Sequence, residues 1–132
     1  MTLADTSAWI EFVRRTGSWA NTRLRQAIHD GEVLVTEAVV MEVLAGARNR
    51  EHEQSLRRLL AGARLTPVGG LDAWEQAARI YRICRRAGFT PRSQLDCLVA
   101  AVAIREDVPV IHADRDFDQI ARHTPLRVAE AN

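Results

Sequence analysis

Short apolar runs and helical stripes alternate along this chain. Residues 2–4, 33–35, 65–68 and 108–111 are compact apolar runs of strand length, and residues 126–128 make a fifth. Between them the apolar positions recur at helical spacing. Residues 6–14 put Trp9, Ile10 and Val13 on one face. Residues 18–30 read as a helix ended by Gly31. Thr36 stands where it can cap a helix running through Val39, Val40, Val43 and Leu44 to Gly46. Residues 51–63 turn Leu56, Leu59 and Leu60 inward, and residues 71–87 form a long helix closed by Gly88. "GFTPRS" then makes a loop. Residues 94–105 are an apolar helix and 117–122 a short one. Strands alternating with helices predict a mainly parallel sheet covered on both faces, a three-layer α/β/α sandwich. A length of 132 residues suits one domain over residues 1–132.

Composition narrows the chemistry. No apolar run is long enough to span a membrane, and the N-terminus lacks a basic region followed by an apolar one, so no signal peptide is expected. Cys84 and Cys97 lie on helix-like segments without a C-x-x-C motif, which points to a reduced, cytoplasmic setting. The formal net charge is +1, yet all 18 basic residues are arginine. Arginine's planar fork suits phosphate. The absence of lysine excludes a phosphate-binding Walker loop and Schiff-base chemistry. No dinucleotide glycine fingerprint and no G-x-S-x-G elbow is present. His29, His52, His112 and His123 lack zinc-ligand spacing and read as surface or packing residues.

The acids are placed more tellingly. Asp5 ends the first strand and Asp114 the fourth, and ligands of open parallel sheets bind at the carboxyl ends of strands. Glu42 lies in the second turn of the helix leaving strand two. Asp96 lies in the first turn of the helix after "GFTPRS". Each has a plainer role available: Asp5 and Asp114 as N-caps, "SQLD" as a capping box between Ser93 and Asp96, Glu42 as a solvated helix residue. Glu42 fits that role worst, because Val39, Val40, Met41, Val43 and Leu44 surround it and a charge in such a run needs a partner. Four carboxylates at one edge repel unless a cation neutralises them, and hard oxygen ligands suit Mg²⁺ or Mn²⁺. Asp116 is an auxiliary to Asp114, and Asp118 is expected to face solvent.

These segments resemble a known family. "ADTSAW" at residues 4–9, "MEVLAG" at 41–46, "RSQLDCLVAA" at 92–101 and "HADRDFDQIA" at 112–121 look like the four motifs of PIN-domain ribonucleases, and most resemble the VapC toxins of bacterial toxin–antitoxin systems. Matched position by position, Asp5, Glu42, Asp96 and Asp114 are the acidic quartet, and Asp116 is a further acid that varies in the family. Thr6 and Ser7 fall where the family has small hydroxyl residues near metal and substrate. The resemblance implies an α/β/α sandwich, a Mg²⁺-dependent endoribonuclease acting on cellular RNA (transfer RNA first) and inhibiting translation, a homodimer, and a VapB-type antitoxin. Such antitoxins block the toxin's active site and bind their own promoter, so DNA is met only through the antitoxin.

The chemistry agrees with that expectation. A divalent ion held by carboxylates activates water and steadies charge on phosphate, so no nucleophilic side chain is required. Asp5, Asp96, Asp114 and Asp116 are the expected metal-facing groups, and Glu42 is a ligand or orients the attacking water. Arg92 and Arg115 are best placed to bind phosphates. Arg79, Arg82 and Arg86 share a helix face that extends the same surface. No base-stacking aromatic stands out, and Trp9 and Phe117 are expected in core or dimer packing. Receiver domains and haloacid-dehalogenase-type phosphatases also gather aspartates at strand ends, but both need a lysine. The alternative class is a non-catalytic or degenerate PIN-like module that binds RNA or protein.

Overall fold

The computed structural model describes residues 1–130; the last two residues of the expected domain lie outside it. Four strands, β1 (Thr2–Ala4), β2 (Val33–Val35), β3 (Arg64–Leu65) and β4 (Val110–Ile111), form one sheet in the order β3-β2-β1-β4. All three pairings are parallel. Among the described residues, seven helices connect and cover the strands: α1 (Thr6–Val13), α2 (Trp19–His29), α3 (Glu37–Ala45), α4 (Arg50–Leu60), α5 (Leu71–Arg86), α6 (Gln94–Glu106) and α7 (Arg115–His123). This is the α/β/α sandwich the alternation predicts. α1 packs on α2, while α5 and α6 pack on each other and on α7.

Two strands are shorter than the apolar runs imply, and proline accounts for both. The run at 65–68 pairs only at Arg64–Leu65. The Thr66 amide still donates to the Val35 carbonyl at 2.8 Å, but Pro67 has no amide to carry the ladder on. The run at 108–111 pairs only from Val110, after Pro109. The fifth strand expected at 126–128 reduces to one parallel bridge between Val110 and Val128. The α4 helix begins one residue earlier than expected because Asn49 caps it, its side chain accepting from the His52 amide. Thr36 precedes α3 but makes no side-chain cap. Its hydroxyl donates instead to Glu37 Oε1, which also accepts from the Val68 amide at 2.8 Å.

The core explains why α6 reads as apolar on all sides. Every residue from Asp96 to Ala103 is buried, so this helix runs through the interior rather than over it. Trp9 and Phe117 are fully buried, which settles them as core. The order β3-β2-β1-β4 means the chain builds outward from β1 on one side, then returns to place β4 on the other. The switch point therefore lies between the carboxyl ends of β1 and β4, where such sheets open a crevice.

Phe117 anchors α7 in this core. Phe117→Ala is expected to cost about 3–5 kcal/mol, read as a lower midpoint in urea with an unchanged slope. A loss below about 1 kcal/mol would mean that α7 does not depend on this packing.

Candidate active site

Asp5 and Asp114 come to lie on either side of the switch point because each follows its strand closely and starts the next helix. Asp5 accepts from the Ser7 amide, and Asp114 from the Asp116 amide. The capping role and the shared-site role are thus compatible. Ser7 ties the two strand ends together: its hydroxyl donates to Asp5 Oδ2 at 2.7 Å and accepts from the Ala113 amide at 2.9 Å. Glu42, carried in by α3, is half-buried and accepts from the Thr6 hydroxyl at 2.8 Å. The two hydroxyls expected beside substrate therefore hold the two acids they face. Ser93 caps α6 through the Leu95 amide; this sets Asp96 in the first turn.

Asp5, Thr6, Ser7, Glu42, Arg92, Ser93, Asp96 and Asp114 line one open cleft of about 310 Å³, with Ile10 on its wall. The quartet from four separated segments is thus gathered in one place. Asp96, Asp114 and Asp116 each offer an oxygen within 4.8 Å of the others. Asp5 and Glu42 stand beside that trio rather than within it. Arg115 is exposed at the start of α7 and is not part of the cleft lining.

Arg92, expected against phosphate, lies with its guanidinium on the acids. Nη2 donates to Asp114 Oδ1 at 2.7 Å and Nε to Asp116 Oδ2 at 3.3 Å. The Arg92 backbone amide also donates to Asp116 Oδ2, at 2.9 Å. The side chain remains largely exposed. His112, expected only as a surface or packing residue, does more. Its Nδ1 accepts from the Asp114 amide at 3.1 Å, so a neutral ring carries its proton on Nε2, 3.2 Å from Asp118 Oδ1. The ring rests on Phe117. His112 thereby fixes the backbone that presents Asp114, and Asp118 is its partner as well as a solvent-facing acid. Only its place in "HADRD", two residues before an acid, could have signalled this.

The electrostatics show a cluster short of positive charge. Asp96 is pushed up from 3.8 to about 7, first by burial and then by the negative charges of Asp5, Asp114, Glu42 and Asp116. Asp5 is also raised, chiefly by burial, although the hydrogen bonds from Ser7 oppose this. Among the described residues, Asp5 Oδ1 is buried without a hydrogen-bond partner. A buried carboxylate oxygen with no donor needs a cation or a proton. The cleft's acids offer hard oxygen ligands, and they fit a small divalent ion.

Comparison with known proteins places this architecture. The family model described as PIN domain matches residues 2–123. The chain belongs to the PIN domain family. It is 43% identical over 131 residues to the VapC ribonuclease Mb1587 of Mycobacterium bovis and to ribonuclease VapC11 of Mycobacterium tuberculosis, covering 98% of each chain. Among solved structures it superposes on the VapBC2 complex of Rickettsia felis bound to promoter DNA, with a TM-score of 0.78 at 13% identity over 99% of this chain and 98% of that one. It also superposes on the FitAcB structure of Neisseria gonorrhoeae, with a TM-score of 0.71 at 20% identity over 98% and 97%. At those identities the structural matches speak to the PIN fold alone.

The charge cluster makes a prediction about the metal-free protein. Two carboxylates ~5 Å apart at an effective dielectric of ~20 repel by roughly 3 kcal/mol, of which relaxation and protonation leave on the order of 1 kcal/mol. Because the Asp96 value is raised on folding, its contribution is fully present below about 4 and is lost as pH rises through about 7. In EDTA at pH 8, Asp96→Asn should therefore melt a few degrees above wild type, and the gap should narrow as pH falls toward 5. Asp114→Asn is a weaker probe, since it also removes the Arg92 pair. An Asp96→Asn protein melting at or below wild type at pH 8, with no pH-dependent gap, would show that the acids do not share a field.

Proposed function

We propose that this PIN domain is the ribonuclease toxin of a VapBC-type toxin–antitoxin pair. In this reading it is a Mg²⁺-dependent endoribonuclease that cuts cellular RNA, with transfer RNA the leading substrate, and so inhibits translation. The observation that carries the proposal is the meeting of Asp5, Glu42, Asp96 and Asp114 in one cleft. Similarity to proteins named VapC ribonucleases along 98% of the chain supports it. The same reading makes the protein a cytoplasmic homodimer, one domain over residues 1–132, that a VapB-type antitoxin inhibits and through which alone it meets DNA. Among the described residues, no helix is long and apolar enough to cross a membrane.

Asp96, Asp114 and Asp116 would hold the ion, with Asp5 beside them. When bound, Mg²⁺ (or Mn²⁺) makes water a better nucleophile at neutral pH and neutralises charge on the phosphate. The residues of the chain do the positioning. Ser7 turns Asp5 toward the cleft while joining the ends of β1 and β4. Thr6 holds Glu42 where it can orient an attacking water and accept its proton. Arg92, already over Asp114 with much of its side chain exposed, is placed to meet a phosphate oxygen. Arg115, outside the cleft, can meet a phosphate only farther along the strand.

Asp96→Asn should abolish RNA cleavage while leaving the folded state intact by circular dichroism. EDTA should abolish wild-type cleavage, and Mg²⁺ or Mn²⁺ should restore it. Ca²⁺, which takes more ligands at longer distances, should do so poorly. Wild-type rates from Asp96→Asn, or undiminished cleavage in chelator, would reject the assignment.

A further inference from the structure

A second depression adjoins the acid cleft. It lies between α5 and the start of α6, encloses about 820 Å³, and shares Arg92 and Ser93 with the acid cleft. Its α5 wall is Trp74, Ala77, Ala78, Tyr81, Arg82 and Arg85, which three- and four-residue steps place on one face of the helix. Arginine, aromatic and small residues line it together with Pro91, Gln94, Leu95 and Leu98, and among the described residues no carboxylate does. Arg82 and Arg85 are exposed and, among the described residues, form no ion pair with an acid. The Arg85 guanidinium lies over the Tyr81 ring, 5.7 Å from its centre, which limits its freedom without neutralising it. Trp74 is 52% exposed at the far end. Of Arg79, Arg82 and Arg86, expected on one face, only Arg82 lines the groove: Arg79 turns to Glu75 and Gln76, Arg86 lies outside the lining, and Arg85 is on it instead.

From this we infer that the α5–α6 groove is the track for the single-stranded RNA leaving the acid cleft, with Arg82 and Arg85 on its phosphates and Trp74 as a base-stacking platform. The inference rests on the ribonuclease reading above and assigns to it a substrate path. Three features carry it. An unopposed row of guanidinium groups attracts a polyanion. A basic groove with an exposed aromatic is the composition that binds single strands without base-edge readout. Arg92 is common to both depressions, so a strand with a phosphate at the acids continues directly into the groove.

The test uses a labelled single-stranded RNA oligonucleotide, with Asp96→Asn protein for binding and otherwise wild-type protein for cleavage. Arg82→Gln with Arg85→Gln should weaken binding by roughly tenfold or more near physiological salt, and the slope of log affinity against log salt should fall by about 0.7 for each phosphate no longer neutralised. Trp74→Ala should weaken binding with the salt slope retained, since stacking releases no counterions. In cleavage, the double arginine variant should raise KM far more than it lowers kcat. Arg58→Gln on α4 is the control for net charge and should leave the salt slope in place. A double variant that binds and cleaves like wild type, while Asp96→Asn still abolishes cleavage, would overturn the groove and leave the ribonuclease reading standing. Wild-type protein that binds RNA through these arginines but never cuts it would do the reverse. A double variant that sediments as a smaller species than wild type would assign this face to a second copy of the chain and likewise overturn the groove.

Discussion

The structure depends on a conflict of charge at one point of the sheet. The turn-back in the order β3-β2-β1-β4 brings the ends of β1 and β4 together, and an aspartate follows each. α3 and α6 add Glu42 and Asp96 to the same cleft. Burial removes the water that would screen these groups, so Asp96 keeps its proton until about 7. Nothing in local helix capping requires that density of negative charge. The surrounding residues answer it with donors: Ser7 for Asp5, Thr6 for Glu42, Arg92 for Asp114 and Asp116. One buried oxygen, Asp5 Oδ1, has none among the described residues.

Arg92 gives this arrangement two uses. Its guanidinium sits on the acids, and its own backbone amide fastens Asp116. With much of its side chain still facing outward, the same residue borders the arginine-lined groove. A side chain that offsets the acids is thereby also the boundary between the cleft and the surface a long anion would follow. His112 and Phe117 support the other side, since Phe117 is sealed in the core and His112 rests on it while holding the Asp114 amide.

Much of this was legible from residue order alone. Asp5 and Asp114, at the ends of their strands, announced the edge, because parallel strands carry their ligands at carboxyl ends. Glu42 and Asp96 stood out as charges within apolar runs. What stayed hidden was governed by partners distant in sequence. The capacity of Thr6 and Ser7 to hold acids depends on α3 and on Ala113, and the docking of Arg92 on Asp114 spans the whole of α6. Helix periodicity chose Arg79, Arg82 and Arg86, but only Arg82 borders the groove, since Glu75 captures Arg79 and Arg85, over Tyr81, stands where Arg86 was expected. The shortened strands were within reach, because Pro67 and Pro109 mark where the ladders stop and start.

In this reading the four acids and Asp116 are gathered to hold a divalent cation. Anomalous diffraction from crystals of the protein grown with Mn²⁺ would locate that cation. A manganese peak is expected at coordination distance, about 2.0–2.3 Å, from the carboxylates of Asp96 and of Asp114 or Asp116, with no such peak for Asp96→Asn. A map with no manganese in the cleft, and Arg92 still seated on Asp114 and Asp116, would contradict it.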